Sequence, residues 1–97
     1  MEIIVHRVNK IKELKKLDKN LGVEIDLRVY KKKIILNHEP YLNGDSFEKY
    51  LTKYNHGTLV LNIKETGIEE DVLKIVRKKK LKTFFYLMLR PPFFLNL

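Results

Sequence analysis

Hydrophobic and polar residues alternate along GVEIDLRVY, the segment from residue 22 to residue 30. The aliphatic positions are Val23, Ile25, Leu27 and Val29. This period of two predicts a β-strand with one apolar face. The other face carries Glu24, Asp26 and Arg28. If that face points into an enclosed interior, these charges need partners, and a polar site is expected there.

Four further apolar runs predict additional strands. They are residues 2–8 (EIIVHRV), 33–40 (KIILNHEP), 58–65 (TLVLNIKE) and 82–89 (KTFFYLML). Pro40 is expected to end the second of these runs, because proline cannot donate to a strand ladder. The chain is therefore expected to contain about five strands.

Apolar residues at helical spacing predict three helices between the strands. Asn9 is expected to cap the first helix, which ends near Gly22. Asp45 and Glu48 have the spacing of a capping box at the start of the second. The third has acids in its first turn and lysines in its last, which suits the helix dipole. The apolar stripes are Ile11, Leu14, Leu17 and Leu21, then Phe47, Tyr50, Leu51 and Tyr54, then Ile68, Val72, Ile75 and Val76.

Alternating strands and helices with short connections predict an α/β fold with parallel strands. An open sheet that binds a dinucleotide would need a glycine-rich turn after the first strand, and HRVNKIK contains no glycine. Polar residues lie instead on the strands themselves, which favours a (β/α) TIM-type barrel. A full barrel has eight strands and typically about 250 residues. The 97 residues therefore predict a single incomplete barrel domain, residues 1–97, truncated relative to a full barrel.

Composition limits the location and the kind of site. The chain has no cysteine, which excludes disulfides and thiolate metal sites and fits a reducing compartment. The start MEIIVHRVNK lacks the features of a signal peptide. No apolar run reaches the roughly 18 residues that span a bilayer. The expected location is the cytoplasm, without a membrane span.

The formal net charge of +8 favours anionic partners. The lysines cluster in residues 10–19, 31–33 and 78–82. Such runs are usually solvated helix faces and turns. Few aromatic residues lie among them, so nucleic acid is a less favoured partner than a small phosphorylated molecule.

Four polar residues on two strands could bind a metal ion and a phosphate group. Glu24 and Asp26 share a strand face with Cα atoms about 7 Å apart, so their carboxylates could bracket Mg²⁺ or Ca²⁺. Asn62 and Lys64 repeat this spacing on another strand. The amide oxygen could join the metal shell, and the ammonium could hold a phosphate oxygen.

Two histidines and one arginine near strand ends complete the candidate site. His6 and His38 are suited to act as a general base and a general acid at neutral pH. Arg7 could bind a phosphate with two parallel hydrogen bonds. Each residue alone is more often a surface residue, but four strand ends that all carry such groups favour a common site.

These motifs resemble those of the glycerophosphodiester phosphodiesterase and phosphatidylinositol-phospholipase-like barrels. In the family pattern, a His-Arg pair ends the first strand, Glu-x-Asp lies on the second, a His-Asp pair ends the third, and a metal-binding acid precedes a lysine by two residues on the fourth. The corresponding residues, in order over residues 3–87, are His6-Arg7, Glu24-Ile25-Asp26, His38-Glu39 and Asn62-Ile63-Lys64.

The resemblance implies metal-assisted hydrolysis of a glycerophosphodiester or a related alcohol phosphodiester. It implies that Glu24, Asp26 and Asn62 hold a divalent cation. It implies that His6 and His38 are the acid–base pair. Arg7 and Lys64 would neutralise the phosphate.

The chain departs from the family pattern at three positions. Val8 replaces a glycine, Glu39 replaces an aspartate, and Asn62 replaces the metal-binding acid. The last change removes a negative charge and is expected to weaken cation binding. Because strands of a full barrel are missing, we expect weak or no turnover by the isolated chain. Unpaired sheet edges predict a homo-oligomer or a complementing chain. The alternative function is a non-catalytic basic binding or assembly module, or an inactive truncated fragment.

Overall fold

A computed structural model describes residues 1–81, 83 and 85–89 of the chain. These residues form six strands and three helices. The elements are β1 Ile4–Val5, α1 Ile11–Leu14, β2 Gly22–Tyr30, β3 Lys33–Leu36, β4 Asp45–Ser46, α2 Phe47–Lys53, β5 Leu59–Ile63, α3 Glu69–Lys79 and β6 Phe85–Leu89. The predicted α/β class and the three helices are confirmed.

The strands form one mixed sheet in the order β4-β3-β2-β5-β6, with β1 beside the start of β2. The strands β1, β2, β5 and β6 are parallel, whereas β3 and β4 are antiparallel to their neighbours. Val23 pairs with both β1 and β5, and Leu27 pairs with both β3 and β5. Consequently β1 and β3 lie along the same edge of β2. Within the described residues the sheet is open and does not close into a barrel.

The predicted set of about five parallel strands is wrong at the third strand, which runs antiparallel to β2. Lys31 and Lys32 have φ angles of 49° and 68° and form a two-residue connection between the paired residues Tyr30 and Lys33. Consecutive positive φ angles are typical of the tight turn of a hairpin. A parallel connection would need a dozen or more residues. The short strand β4, which pairs with β3, was not predicted.

The ends of the first two helices also differ from prediction. α1 is a single turn, and Asn9 does not cap it; instead Asp45 Oδ2 accepts a hydrogen bond from the Ile11 amide at 2.6 Å. The Asp45 carboxylate thus bonds to α1 rather than capping α2. The N-cap of α2 is Ser46, whose Oγ accepts a hydrogen bond from the Lys49 amide at 3.3 Å. The predicted third helix and last strand are confirmed. Residues 82 and 84 of that predicted strand lie outside the described residues.

The helices and the aliphatic face of the sheet form one core. Its strand residues alternate along β2 and β5, and all three helices contribute to the same cluster. Fully buried members are Leu14, Val23, Ile25, Leu27, Phe47, Tyr50, Leu59, Leu61 and Val72. Each such side chain stabilises the fold by about 1.5–3 kcal/mol. Because strand side chains alternate between faces, Glu24, Asp26 and Asn62 lie on the sheet face opposite this core.

The helices in the described part of the chain are short, and the longest of them, α3, has 11 residues. Among residues 1–81, 83 and 85–89, no helix combines the length and the apolar character needed to cross a membrane. Most lysines of the three clusters are exposed, as predicted.

Tyr50 connects α2 to the segment that follows β1. Its hydroxyl donates a hydrogen bond to the Val8 carbonyl at 2.6 Å. Burial, with a smaller contribution from Tyr54, raises the pKa of Tyr50 above its ordinary value, so the phenol stays neutral and remains a donor. This bond fixes residues 7–9, which carry candidate site residues.

We expect Tyr50→Phe to lower the free energy of unfolding by about 1–2 kcal/mol, because the buried Val8 carbonyl loses its donor. Urea denaturation measures the change. Tyr86→Phe is the matched control, since Tyr86 is 62% exposed on β6 and should change stability by less than about 0.5 kcal/mol. Equal effects of the two substitutions would contradict the role of the Tyr50 hydroxyl.

Candidate functional site

Four predicted site residues lie on one face of the sheet, here called the polar face: Glu24, Asp26, Asn62 and Lys64. Asp26 and Asn62 are direct partners on the parallel strands β2 and β5. Although this face is opposite the core, Asp26 is only 1% exposed and Asn62 only 2%. The polar face is therefore a buried polar site, and its charges need partners within the protein.

Asp26 is held from two sides. Lys64 Nζ lies 3.8 Å from Asp26 Oδ1, and Asn9 Nδ2 donates a hydrogen bond to Asp26 Oδ2 at 3.0 Å. Asn9 Oδ1 also accepts the Asp26 backbone amide at 2.8 Å. Asn9 thus occupies the gap between β1 and β3 along the edge of β2. Its two hydrogen bonds fix the orientation of the Asp26 carboxylate.

Asn62 carries an unsatisfied oxygen at the centre of this face. Its Oδ1 atom is buried and has no hydrogen-bond partner among the described residues, where it is the only such side-chain atom. An unpaired buried polar group costs about 1–3 kcal/mol and calls for an explanation. An oxygen acceptor beside a carboxylate is the kind of ligand that a hard cation takes.

His6 and Glu24 form the second contact of the polar face. His6 Nδ1 lies 3.3 Å from Glu24 Oε1. The His6 side chain is 75% exposed, whereas that of Glu24 is 11% exposed. If Nδ1 carries the proton toward the carboxylate, Nε2 is the nitrogen that can accept one. The pair therefore joins an accessible base to a buried carboxylate.

Arg7 and His38 line a cavity of about 510 Å³ between the β1–α1 segment and the β3–β4 segment, here called the side cavity. Asn9, Lys10 and Lys12 line it as well. Because Asn9 also bonds Asp26, the side cavity adjoins the polar face.

His38 is fixed by its neighbours. Its Nδ1 atom lies 3.2 Å from Glu39 Oε2. Arg28 donates from Nε and Nη2 to the His38 carbonyl at 3.2 and 2.9 Å, and its Nη1 lies 3.8 Å from Glu65 Oε2. Arg28 thereby connects β2 to the loop that carries His38.

The structure divides the predicted site residues between two adjoining regions. Glu24, Asp26, Asn62 and Lys64 share the polar face, and His6 contacts Glu24. Arg7 and His38 line the side cavity instead. Among the described residues, no side-chain hydrogen bond or ion pair joins Arg7 or His38 to Glu24, Asp26, Asn62 or Lys64. A ligand that engages all of these groups must extend across both regions.

Sequence reasoning missed two residues of this site. Arg28 continues the alternation of Glu24 and Asp26, so the same pattern could have identified it. Asn9 contacts a residue 17 positions away in the chain, and nothing in its local sequence indicates this. Its capping potential instead predicted a local role, which the structure does not show.

The metal ligands remain a prediction. Within residues 1–81, 83 and 85–89, no three His, Cys, Asp or Glu side chains are placed to hold a metal ion. The oxygen donors of the polar face are two carboxylates, from Glu24 and Asp26, and the amide oxygen of Asn62. This donor set suits Mg²⁺ or Ca²⁺ rather than a metal that prefers nitrogen or sulfur.

Comparison of the chain with protein-family models, curated proteins and solved structures found no match. Contacts and chemistry within the chain are therefore the basis for inferring its function.

Proposed function

We propose that the chain binds an alcohol phosphodiester of the glycerophosphodiester type at the polar face and hydrolyses it with a divalent cation. The observation that carries this proposal is the buried Asn62 Oδ1, which has no hydrogen-bond partner in the described part of the chain and whose residue is paired with Asp26. Lys64 supports it, because a partly buried ammonium next to the acids can neutralise a phosphate oxygen.

The fold proposed for this activity is part of a (β/α) barrel. The four parallel strands have helices on their apolar face, and Glu24 and Asp26 on β2, with Lys64 just after β5, lie on the other face. A barrel likewise has helices outside its strands, and its functional polar residues lie at the carboxyl ends of the strands. The absence of cysteine also fits the cytoplasm as the proposed location.

The oxygen donors of the polar face fit a hard cation. Glu24, Asp26 and Asn62 would hold it, and Asn62 would gain the partner that its oxygen lacks. When bound, such a cation stabilises the negative charge that develops on a phosphoryl oxygen. With two carboxylates rather than three in this donor set, we expect affinity to be modest.

The side chains supply the proton transfers. His6, oriented by Glu24, accepts a proton from the attacking hydroxyl, either of water or of the substrate itself. As the phosphorus–oxygen bond to the leaving alcohol breaks, His38 donates a proton to that alcohol oxygen. Lys64 and Arg7 stabilise the phosphate charge. Because His38 lines the side cavity, the leaving alcohol lies on that side of the phosphate.

We expect His6→Ala to lower hydrolysis of bis(p-nitrophenyl) phosphate by about 100-fold, through the loss of the general base. Release of p-nitrophenol with Mg²⁺, Ca²⁺ or a chelator measures this. Added imidazole should restore part of the activity to His6→Ala, and Lys19→Ala, at an exposed position, should retain it. Hydrolysis that survives the chelator or the His6 substitution would overturn the mechanism.

A second candidate function is non-catalytic binding of an anionic partner. A cavity of about 570 Å³ is lined by Lys31, Lys33 and Lys49, away from the acids of the polar face. Binding that weakens steeply with salt, without any hydrolysis or cation dependence, would favour this function.

A further inference from the structure

Cationic side chains outnumber acidic ones among the residues that line the side cavity. Arg7, Lys10 and Lys12 line it, together with the acids Glu13 and Asp45. None of the three cations takes part in an ion pair within 4.0 Å among the described residues. Asp45, in contrast, already accepts the Ile11 amide at 2.6 Å. The cations are therefore available to a ligand.

The wall opposite these cations is held in place by hydrogen bonds. Asn37 Nδ2 donates to the Asn43 carbonyl at 3.0 Å, and Asn37 Oδ1 accepts the Glu39 amide at 2.9 Å. Gly44 packs so closely that an added Cβ would overlap the Leu36 carbonyl. A fixed wall preserves the shape of the cavity and lowers the entropy cost of binding.

We propose that the side cavity is a subsite for a second anionic group, a phosphate monoester carried by the alcohol part of the diester substrate. This proposal rests on the proposed function, in which the leaving alcohol points toward His38 and so into the side cavity. A phosphate monoester carries close to two negative charges at neutral pH. Lys10 and Lys12 supply two matching positive charges, and Arg7, which is assigned to the reacting phosphate, lines the same cavity.

The cavity adjoins the reaction site through a single residue. Asn9 lines the side cavity and holds Asp26 Oδ2 at 3.0 Å. Asn9 and His38 both line the side cavity, so a substrate that fills both regions would extend past Asn9 toward His38. The preferred substrate class is therefore a diester with a phosphorylated alcohol, and plain diesters should react with a higher KM.

The test is binding of methyl phosphate, followed by backbone amide chemical shifts in the intact chain. We expect saturable shifts at Arg7, Lys10, Lys12 and His38. The double substitution Lys10→Met with Lys12→Met should weaken binding about 10-fold or more. The control pair Lys15→Met with Lys16→Met removes the same charge from exposed positions that do not line the cavity, and it should change affinity less than about 2-fold.

Absence of saturable shifts, or equal weakening by both double substitutions, would overturn the subsite. Circular dichroism melts of both pairs show that each variant folds. Methyl phosphate binding does not require any reaction. Failure of the subsite can therefore be distinguished from failure of the proposed hydrolysis. Conversely, loss of the subsite would leave hydrolysis of bis(p-nitrophenyl) phosphate as measured, since that diester has no second phosphate.

Discussion

Asp26→Asn is expected to lower kcat/KM for phosphodiester hydrolysis by about 1,000-fold without unfolding the protein. The substitution keeps the shape of the side chain, and its amide oxygen can still accept from Asn9 Nδ2. The hydrogen bond between the Asp26 backbone amide and Asn9 is also unaffected. What is lost is the negative charge that faces Lys64 and that would bind the cation. The substitution therefore tests the role of the charge in activity while the fold is retained.

Steady-state kinetics over a range of Mg²⁺ concentrations measure this prediction. If the variant needs a higher Mg²⁺ concentration for activity and also has a lower kcat, the Asp26 carboxylate binds the cation. The control is Glu70→Gln, which removes an exposed acid in the first turn of α3 and should leave kinetics unchanged. If Asp26→Asn retained wild-type kinetics and a wild-type melting temperature, the polar face would not be the reaction site.

Elements with a long hydrophobic pattern and local end signals could be predicted from the sequence. The stripe of Val72 and Val76, with acids before it and lysines after it, predicts α3 almost to its ends. The alternation in β2 likewise predicts which residues share a face, because strand geometry alone determines this. Periodicity does not encode strand direction, so β3 was assigned wrongly. The two-residue connection at Lys31 and Lys32 was the available signal, since it is too short for a crossover.

That error also explains why the predicted site is divided. Because β3 runs antiparallel, its end returns beside the middle of β2, where the Asn37 amide donates to the Asp26 carbonyl at 3.1 Å. His38 therefore reaches the side cavity rather than the carboxyl ends of parallel strands. The pairing of Asp26 with Asn62, in contrast, agrees with the sequence interpretation, because both residues are on the same face of neighbouring parallel strands.

Asn62→Asp is expected to make folding stability depend on a divalent cation. The new carboxylate would lie at a position that is 2% exposed, next to Asp26 and on the same face as Glu24. Lys64, 3.8 Å from Asp26, is the single lysine of the polar face and only partly balances three acids. An uncompensated buried charge costs about 3–5 kcal/mol, a large share of the stability of a small domain. Protonation removes the charge, so the loss should shrink as the pH falls.

A bound Mg²⁺ or Ca²⁺ supplies the missing positive charge, and binding to the folded state alone stabilises it by mass action. We therefore expect the melting temperature of Asn62→Asp to fall in a chelator and to recover at millimolar cation, with a larger cation-induced shift than in the wild type. Calorimetric titration should show about 10-fold tighter cation binding, since a carboxylate replaces an amide. Asn55→Asp, which adds the same charge at an exposed position, is the matched control and should show neither effect. Destabilisation of equal size with and without cation would show that Asn62 Oδ1 does not face a cation site, and the metal-assisted mechanism would lose the observation that carries it.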